Sequence, residues 1–237
     1  FPYTTLFRST IVREPGPARD HTERMFAYFG FPVNTKRASD GSVSISIRGH
    51  AQLRKQDRTL MVPADPSSAA FLVVAALITK DSDITIRNVC MNPHRTGLFT
   101  TLIEMGGDIS FENERALGGE KIADLRVKSS TLKAVTVPAE RAPSMIDEYP
   151  ILSVAASVAS GKTVMKGLKE LRVKESDRLK TIYDGLVANG VKAKMGDDWL
   201  EVTGGKIVGG AVVKNRSSEL DFSNESNAVL RLIQFYF

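Results

Sequence analysis

One scheme recurs three times along the chain, and it constrains the fold more than any single motif does. Residues 21–33 (HTERMFAYFGFPV) read as a short helix carrying Met25, Phe26 and Phe29, then Gly30 and the start of a strand. Residues 96–111 (TGLFTTLIEMGGDISF) repeat the scheme with Leu98, Leu102 and Met105 ahead of Gly106. Residues 177–195 (DRLKTIYDGLVANGVKAKM) repeat it again, with Gly190 in the equivalent place. Each glycine suits the left-handed position that ends a helix before the chain turns back. The glycines recur roughly every 80 residues, a period that implies copied domain-sized units rather than a solenoid.

A second kind of helix precedes the later two copies. Residues 65–78 (DPSSAAFLVVAALI) open with Asp65 as a helix cap and Pro66 at the first helical position, and are then almost wholly apolar. That is the composition of a helix buried on all sides. Residues 147–159 (DEYPILSVAASVA) share the acidic start, the early proline and the small apolar body. Alternating strands follow at 84–89 and 163–168, and further strands read at 44–47, 125–127, 134–137 and 200–202. The unit is therefore an α/β repeat of the form βαβαββ, with buried helices inside and amphipathic ones outside. Two such units and part of a third fill the chain. Residues 1–9 and 215–237 do not follow the pattern and read as tails foreign to it.

Composition narrows the function. Its 237 residues and 42% hydrophobic content suffice for one large or two ordinary cores. A net charge of +5 suits small anionic substrates, and no basic run with interleaved aromatics argues for nucleic acid. The single Cys90 excludes an internal disulfide framework and fits a reducing compartment. No apolar run approaches the roughly 18 residues of a membrane span, and no secretory leader pattern is present. The expectation is a soluble cytoplasmic protein. No His/Cys group has the spacing of a metal site, and neither a metal nor an organic cofactor is expected.

The chemistry concentrates in residues 171–179 (LRVKESDRL). Lys174, Glu175, Asp177 and Arg178 stand where a β-like run (Leu171, Val173) gives way to a helix with apolar Leu179, Ile182, Tyr183, Leu186 and Val187. Ser176 or Asp177 can cap that helix. Two cations and a carboxylate thus meet at a helix N-terminus, which already favours anions. A phosphate or carboxylate could dock there, with Glu175 placed to move a proton. Charge content alone favours the plainer reading, a capped and solvated helix start.

Five separated segments then carry a resemblance: RDHTERM, ADPSSAAFLVVAALI, MNPHRTG, APSMIDEYPILSVAAS and RVKESDRL. In this order they closely resemble the EPSP synthase family (3-phosphoshikimate 1-carboxyvinyltransferases), in its bacterial glyphosate-tolerant form, from about Thr10 to Lys214. The resemblance implies the two-lobed enolpyruvyl transferase fold, each lobe an inverse α/β barrel-like body of three βαβαββ units. It implies that residues 10–63 end one lobe and that residues 64–214 form two units of the other. It also implies that the family's lysine-serine and serine-serine-glutamine motifs lie upstream. The family's late Asp-His-Arg motif and final lysine would lie downstream, so the chain resembles a fragment and is expected to be inactive alone.

The implied reaction transfers the enolpyruvyl group of phosphoenolpyruvate to the 5-hydroxyl of shikimate 3-phosphate and releases phosphate. No nucleic acid, membrane or partner chain is implied; a monomer is expected. By motif, Asp147 corresponds to the proton acceptor at the shikimate hydroxyls and Glu175 to the carboxylate that exchanges a proton with the phosphoenolpyruvate carbon. Lys174 corresponds to a phosphate contact, and Arg178 to a clamp on the phosphoenolpyruvate carboxylate. Arg19 and His21 fall on the substrate side. Ala18 departs from the family's usual hydroxyl residue and weakens that phosphate contact. For the rest, helix capping suffices to explain Asp65 and Glu148, although the nearness of Glu148 to Asp147 could raise one pKa. Cys90 reads as core packing, and His50 and His94 as surface or structural residues.

Two other readings remain open. UDP-N-acetylglucosamine enolpyruvyl transferase shares the implied fold and chemistry, but its relatives use a loop cysteine where Cys90 ends a strand. A repeated βαβαββ body could also be a non-catalytic binding module, since a fold alone proves no chemistry.

Overall fold

The computed structural model describes residues 9–16, 18–49, 61–205, 207, 212–214 and 219–221. His50 and nearly all of the two tails lie outside the described residues. Of the segment 215–237, only Glu219–Asp221 is described, paired antiparallel with Val212–Lys214.

Three sheets follow one plan. The third unit is complete: β7 (Thr136–Val137), α4 (Tyr149–Val158), β8 (Lys162–Lys166), α5 (Arg178–Ala188), β9 (Lys192–Met195) and β10 (Trp199–Thr203). Its sheet runs β7-β8-β10-β9, with β7 parallel to β8 and the other pairs antiparallel. The second unit has α2 (Pro66–Ile78), β4 (Asp83–Cys90), α3 (Gly97–Glu104), β5 (Asp108–Leu117) and β6 (Glu120–Lys128), in the sheet order β4-β6-β5. A parallel bridge between Ala64 and Val89 stands where β7 pairs with β8, so the first strand of this copy is reduced to one residue. The first unit has β1 (Thr10–Glu14), α1 (His21–Tyr28), β2 (Val33–Arg37) and β3 (Val43–Ile47), ordered β1-β3-β2. It matches the last four elements of the other two.

The helix ends follow from their residues. Asp65 caps α2 by accepting from the Ser68 N–H at 2.9 Å, with Pro66 in the first turn. Gly30, Gly106 and Gly190 have φ of 74°, 91° and 78°, the left-handed values expected after α1, α3 and α5. Asp177 is the cap of α5, accepting from the Lys180 N–H at 2.9 Å.

The core is one continuous cluster built on α2 and α4. Val73, Val74 and Leu77 of α2 and Leu152, Val154 and Ala155 of α4 are fully buried. Leu102 and Met105 join it from the α3 end, Leu179 and Leu186 from α5, and Leu125 and Leu200 from the sheets. Each such aliphatic side chain contributes about 1.5–3 kcal/mol on burial, so the two apolar helices anchor the second and third units together. The first unit differs. None of the α1 residues is buried, and Val43 is its one buried apolar residue among those described.

Several expectations need correction. The β-like run at Leu171 and Val173 is a 3₁₀ turn, Lys169–Val173, not a strand. Arg172 ties it to the β9–β10 connection by donating to the carbonyls of Gly196 (2.6 Å) and Asp197 (2.8 Å). Leu171 is buried while Val173 is 79% exposed. On α5, Leu179, Ile182 and Leu186 are buried, but Val187 lies outside the apolar stripe at 45% exposure. The expected all-round burial of α2 fails at Leu72, which is 52% exposed. Helix α4 begins at Tyr149, one turn position later than capping by Asp147 would require. Glu148 occupies the cap position without bonding the helix N–H groups, so neither carboxylate caps α4.

Candidate active site

Freed from capping, Asp147 turns to two arginines. A 3₁₀ segment, Ala139–Ser144, delivers the chain to Met145 and Ile146, both buried, and then to the partly exposed Asp147. Arg19, on the approach to α1, donates to Asp147 Oδ2 at 2.7 Å. Arg178, the first residue of α5, reaches Asp147 Oδ1 at 3.5 Å. Burial raises the Asp147 pKa, but the Arg19 hydrogen bond and the charges of Arg19, Lys174 and Arg178 outweigh it and hold the carboxyl below its ordinary value.

The other expected residues join this centre. Arg178 grips Glu175 with two parallel bonds, Nε to Oε1 at 2.7 Å and Nη2 to Oε2 at 3.0 Å, the strong bidentate geometry. These bonds set the Glu175 carboxyl below its ordinary value, although the side chain is 65% exposed. Lys174 pairs with Glu170 at 2.5 Å. A cleft of about 490 Å³ opens over the group, lined by Ala18, Arg19, His94, Ser144, Asp147 and Lys174, among others. Arg19 and Lys174 thus line one concavity, and Arg178 reaches its edge through Asp147, each cation already neutralised by a carboxylate of this chain. An anionic substrate would enter by exchanging partners with those carboxylates rather than by meeting bare charge.

His21 is not brought to this cleft. Its Nδ1 lies 2.6 Å from Glu120 Oε1, and the ring lines a separate cavity of about 300 Å³ beside Cys90, Glu120 and Arg95. His21, Cys90 and Glu120 each present a donor atom within 4.8 Å of the other two. Sequence spacing gave no hint of this group, because α1, the end of β4 and the start of β6 meet only in the fold.

Sequence reasoning also missed a network behind Asp147. Glu148 is 3% exposed and hydrogen-bonded through Oε1 to the Ser67 hydroxyl. Ser67 Oγ in turn accepts from Arg95 at 2.8 Å, and Arg95 pairs with Asp65 at 2.7 Å. The N-termini of α2 and α4 are joined by this chain of contacts. Burial raises the Glu148 carboxyl above its ordinary value, and the neighbouring Asp147 charge adds to the shift. The two neighbouring carboxyls are thus shifted in opposite directions, Asp147 toward the ionised form and Glu148 toward the protonated one. His94, expected to be surface or structural, lines the cleft; its backbone N–H is held by Asn92 Oδ1 at 2.9 Å. A histidine one residue after a proline, inside MNPHRTG, carried no periodic signal that could have placed it there.

Comparison with known proteins agrees with this geometry. Residues 4–217 match the family model for EPSP synthase (3-phosphoshikimate 1-carboxyvinyltransferase). The chain is 58% identical over 207 residues to the 3-phosphoshikimate 1-carboxyvinyltransferase of Chelativorans sp. (strain BNC1), covering 86% of this chain and 46% of that one. It is 56% identical over 215 residues to the enzyme of that name from Rhizobium johnstonii, covering 90% and 47%. A solved EPSP synthase from Acinetobacter baumannii superposes with a TM-score of 0.77 at 44% identity, over 84% of this chain and 44% of that one. The chain spans about half the length of the curated relatives it matches. Five motifs in order, the repeated βαβαββ plan and these likenesses converge: the chain belongs to the EPSP synthase family.

Proposed function

We propose that the chain carries one face of an active site that transfers the enolpyruvyl group of phosphoenolpyruvate to the 5-hydroxyl of shikimate 3-phosphate, releasing phosphate. The observation that supports this most is the ionised Asp147 held among Arg19, Lys174 and Arg178 over one cleft. Both substrates carry a phosphate and a carboxylate, and Arg and Lys are the residues that bind them.

In the reaction, the 5-hydroxyl oxygen bonds to the central vinyl carbon, its proton passes to a base, and the methylene carbon gains a proton. The resulting methyl group then loses a proton, the carbon–oxygen bond to phosphate breaks, and phosphate leaves with the vinyl double bond restored. Asp147 is the base for the hydroxyl, and Glu175 exchanges the methylene proton. When the phosphoenolpyruvate carboxylate takes the Arg178 fork, Glu175 loses the two bonds that lower its pKa and gains proton affinity. Likewise, a substrate phosphate that draws Lys174 from Glu170 and Arg19 from Asp147 makes Asp147 a stronger base. Substrate binding itself thus arms both carboxylates, with their proton transfers done by general acid–base catalysis. His21 stays outside this set, because its ring faces the other cavity.

In this reading residues 10–63 end one lobe and residues 64–214 form two units of the other, in keeping with the repeated strand order. The enzyme works as a monomer in the cytoplasm. Among the described residues, no helix is long and apolar enough to cross a membrane.

Thermal unfolding with added ligand tests the substrate class. A ligand that binds only the folded chain stabilises it by about 2.7 kcal/mol at a hundredfold excess over Kd. Shikimate 3-phosphate is expected to raise the melting temperature, and UDP-N-acetylglucosamine is not. A shift with the nucleotide sugar alone would assign the chain to the other enolpyruvyl transferase chemistry, and a shift with neither would contradict the proposal.

A further inference from the structure

Glu148 stands next to Asp147 in the chain but faces the interior. Its side chain bonds none of the α4 N–H groups, and the residue is buried. Among the described residues its carboxyl has one hydrogen-bond partner. Oε1 accepts from the Ser67 hydroxyl of α2, while Oε2 is buried and has none. Ser67 is itself held. Its oxygen accepts from Arg95 Nη2 at 2.8 Å, and that nitrogen pairs with Asp65, the cap of α2, at 2.7 Å. With Arg95 on its oxygen, the hydroxyl has its single proton left for Glu148.

Two anchors thus bracket Asp147. Upstream, Arg141 of the Ala139–Ser144 segment grips Glu104 of α3 with bonds of 2.6 and 2.7 Å. Downstream, Glu148 is pinned to α2 by one hydroxyl proton. Removing that proton leaves Glu148 Oε1, like Oε2, a buried oxygen without a donor, which favours turning the side chain out to water. Asp147 and Glu148 share a rigid peptide plane, so the turn rotates Asp147 as well. Its bond with Arg19, 2.7 Å long, weakens steeply with such a change in geometry.

We propose that Ser67 and Glu148 are positioning residues of the substrate cleft: the hydrogen bond between them, made from α2 to the start of α4, sets where the Asp147 carboxylate stands against Arg19. Neither residue lines the cleft, so their effect on it passes through Asp147. Arg95 directly follows His94, which does line the cleft, so the same network steadies a second lining residue. This role rests on Asp147 being the base of the cleft; the test needs no substrate, so that the two readings fail separately.

The test follows the Asp147 carboxyl carbon by ¹³C NMR in the 237-residue chain as pH is varied, with the signal assigned by its loss in Asp147→Asn. The groups facing this carboxyl are Arg19, Lys174, Arg178 and the adjacent Glu148. In the parent it should titrate below the ordinary value of about 3.9. Ser67→Ala should move the titration up toward that value, and Ser67→Thr, which keeps the hydroxyl, should bring it back. Glu148→Ala removes the same bond from the other side and should give the same rise. Glu148→Gln, whose amide oxygen still accepts from Ser67, should titrate as the parent does. Ser67 is only partly buried and alanine suits a helical turn, so Ser67→Ala should keep its fold, as amide exchange in α2 and α4 will show. An ordinary value in the parent, a parent-like value in Ser67→Ala, or a rise that Ser67→Thr does not reverse would overturn the proposal. Lost stability with an unchanged Asp147 titration would mark the bond as merely structural and overturn it too.

Discussion

Asp147 and Glu148 are adjacent carboxyls sent in opposite directions by their surroundings. Asp147 faces Arg19 and Arg178 and stays ionised; Glu148 is buried against Ser67 and keeps its proton to higher pH. The sign of the consequence is fixed. A carboxyl whose folded pKa is raised contributes stability below its unfolded value, about 4.3, that is lost as pH rises through the folded value. Glu148→Gln removes that dependence while keeping a group able to bond Ser67. Its melting temperature relative to the parent should therefore improve as pH rises above about 4 and level off above the folded Glu148 pKa, as read by thermal melts across acid to neutral pH. A constant offset would argue against a raised Glu148 pKa. Lys174, Glu175 and Arg178 stood out in sequence as a charged run at a helix start, while Asp147 and the roles of all four were implied by the family resemblance. The partners Ser67, Arg95 and Glu170 were not legible, since each is placed by packing of distant elements rather than by spacing.

At the scale of elements, caps and contacts decide where the charged residues stand. Asp177 caps α5 and holds Arg172 at 2.8 Å, and so fixes the turn that carries Lys174 and Glu175. Asp177→Ala should cost about 1 kcal/mol in denaturant unfolding, with Asp177→Ser recovering most of it. Gly204, just past β10, donates to the Gly161 carbonyl, and a Cβ on it would stand 1.8 Å from the Ala159 carbonyl oxygen at the end of α4. Backbone must move there, so Gly204→Ala should destabilise by about 1–3 kcal/mol in the same measurement. Leu152→Ala, emptying the fully buried contact face of α4, should cost about 2–5 kcal/mol. The apolar body of α2 with its Asp65 cap and the periodicity of α5 could be read directly, while the α5 cap was narrowed only to Ser176 or Asp177. The turn Lys169–Val173 could not, because its alternating apolar residues mimic a strand while Arg172 binds backbone carbonyls that no local pattern reveals.

Across the whole molecule, the repeat explains both the order and its uneven strength. The second and third units bury α2 and α4 together, whereas the first unit offers one three-stranded sheet and one helix without a buried residue. Local opening should follow that contrast. Amide hydrogen exchange is expected to be faster across β1, α1, β2 and β3 than in α2, α4 and their sheets, and uniform protection would speak against it. The substrate cleft straddles this difference, with Arg19 on the weaker unit and Asp147, Lys174 and Arg178 on the stronger. The copied units were visible in sequence as recurring helix–glycine–strand segments; the closeness of Arg19 to Asp147 was not, because it depends on how one unit docks on another.

Isothermal titration of shikimate 3-phosphate into the chain, beside Lys174→Ala and Asp147→Ala variants, tests the central claim most directly. The expected result is saturable binding that weakens with added salt and is lost in Lys174→Ala. Absence of binding, or binding that the two variants leave untouched, would contradict the assignment of this cleft to the substrate.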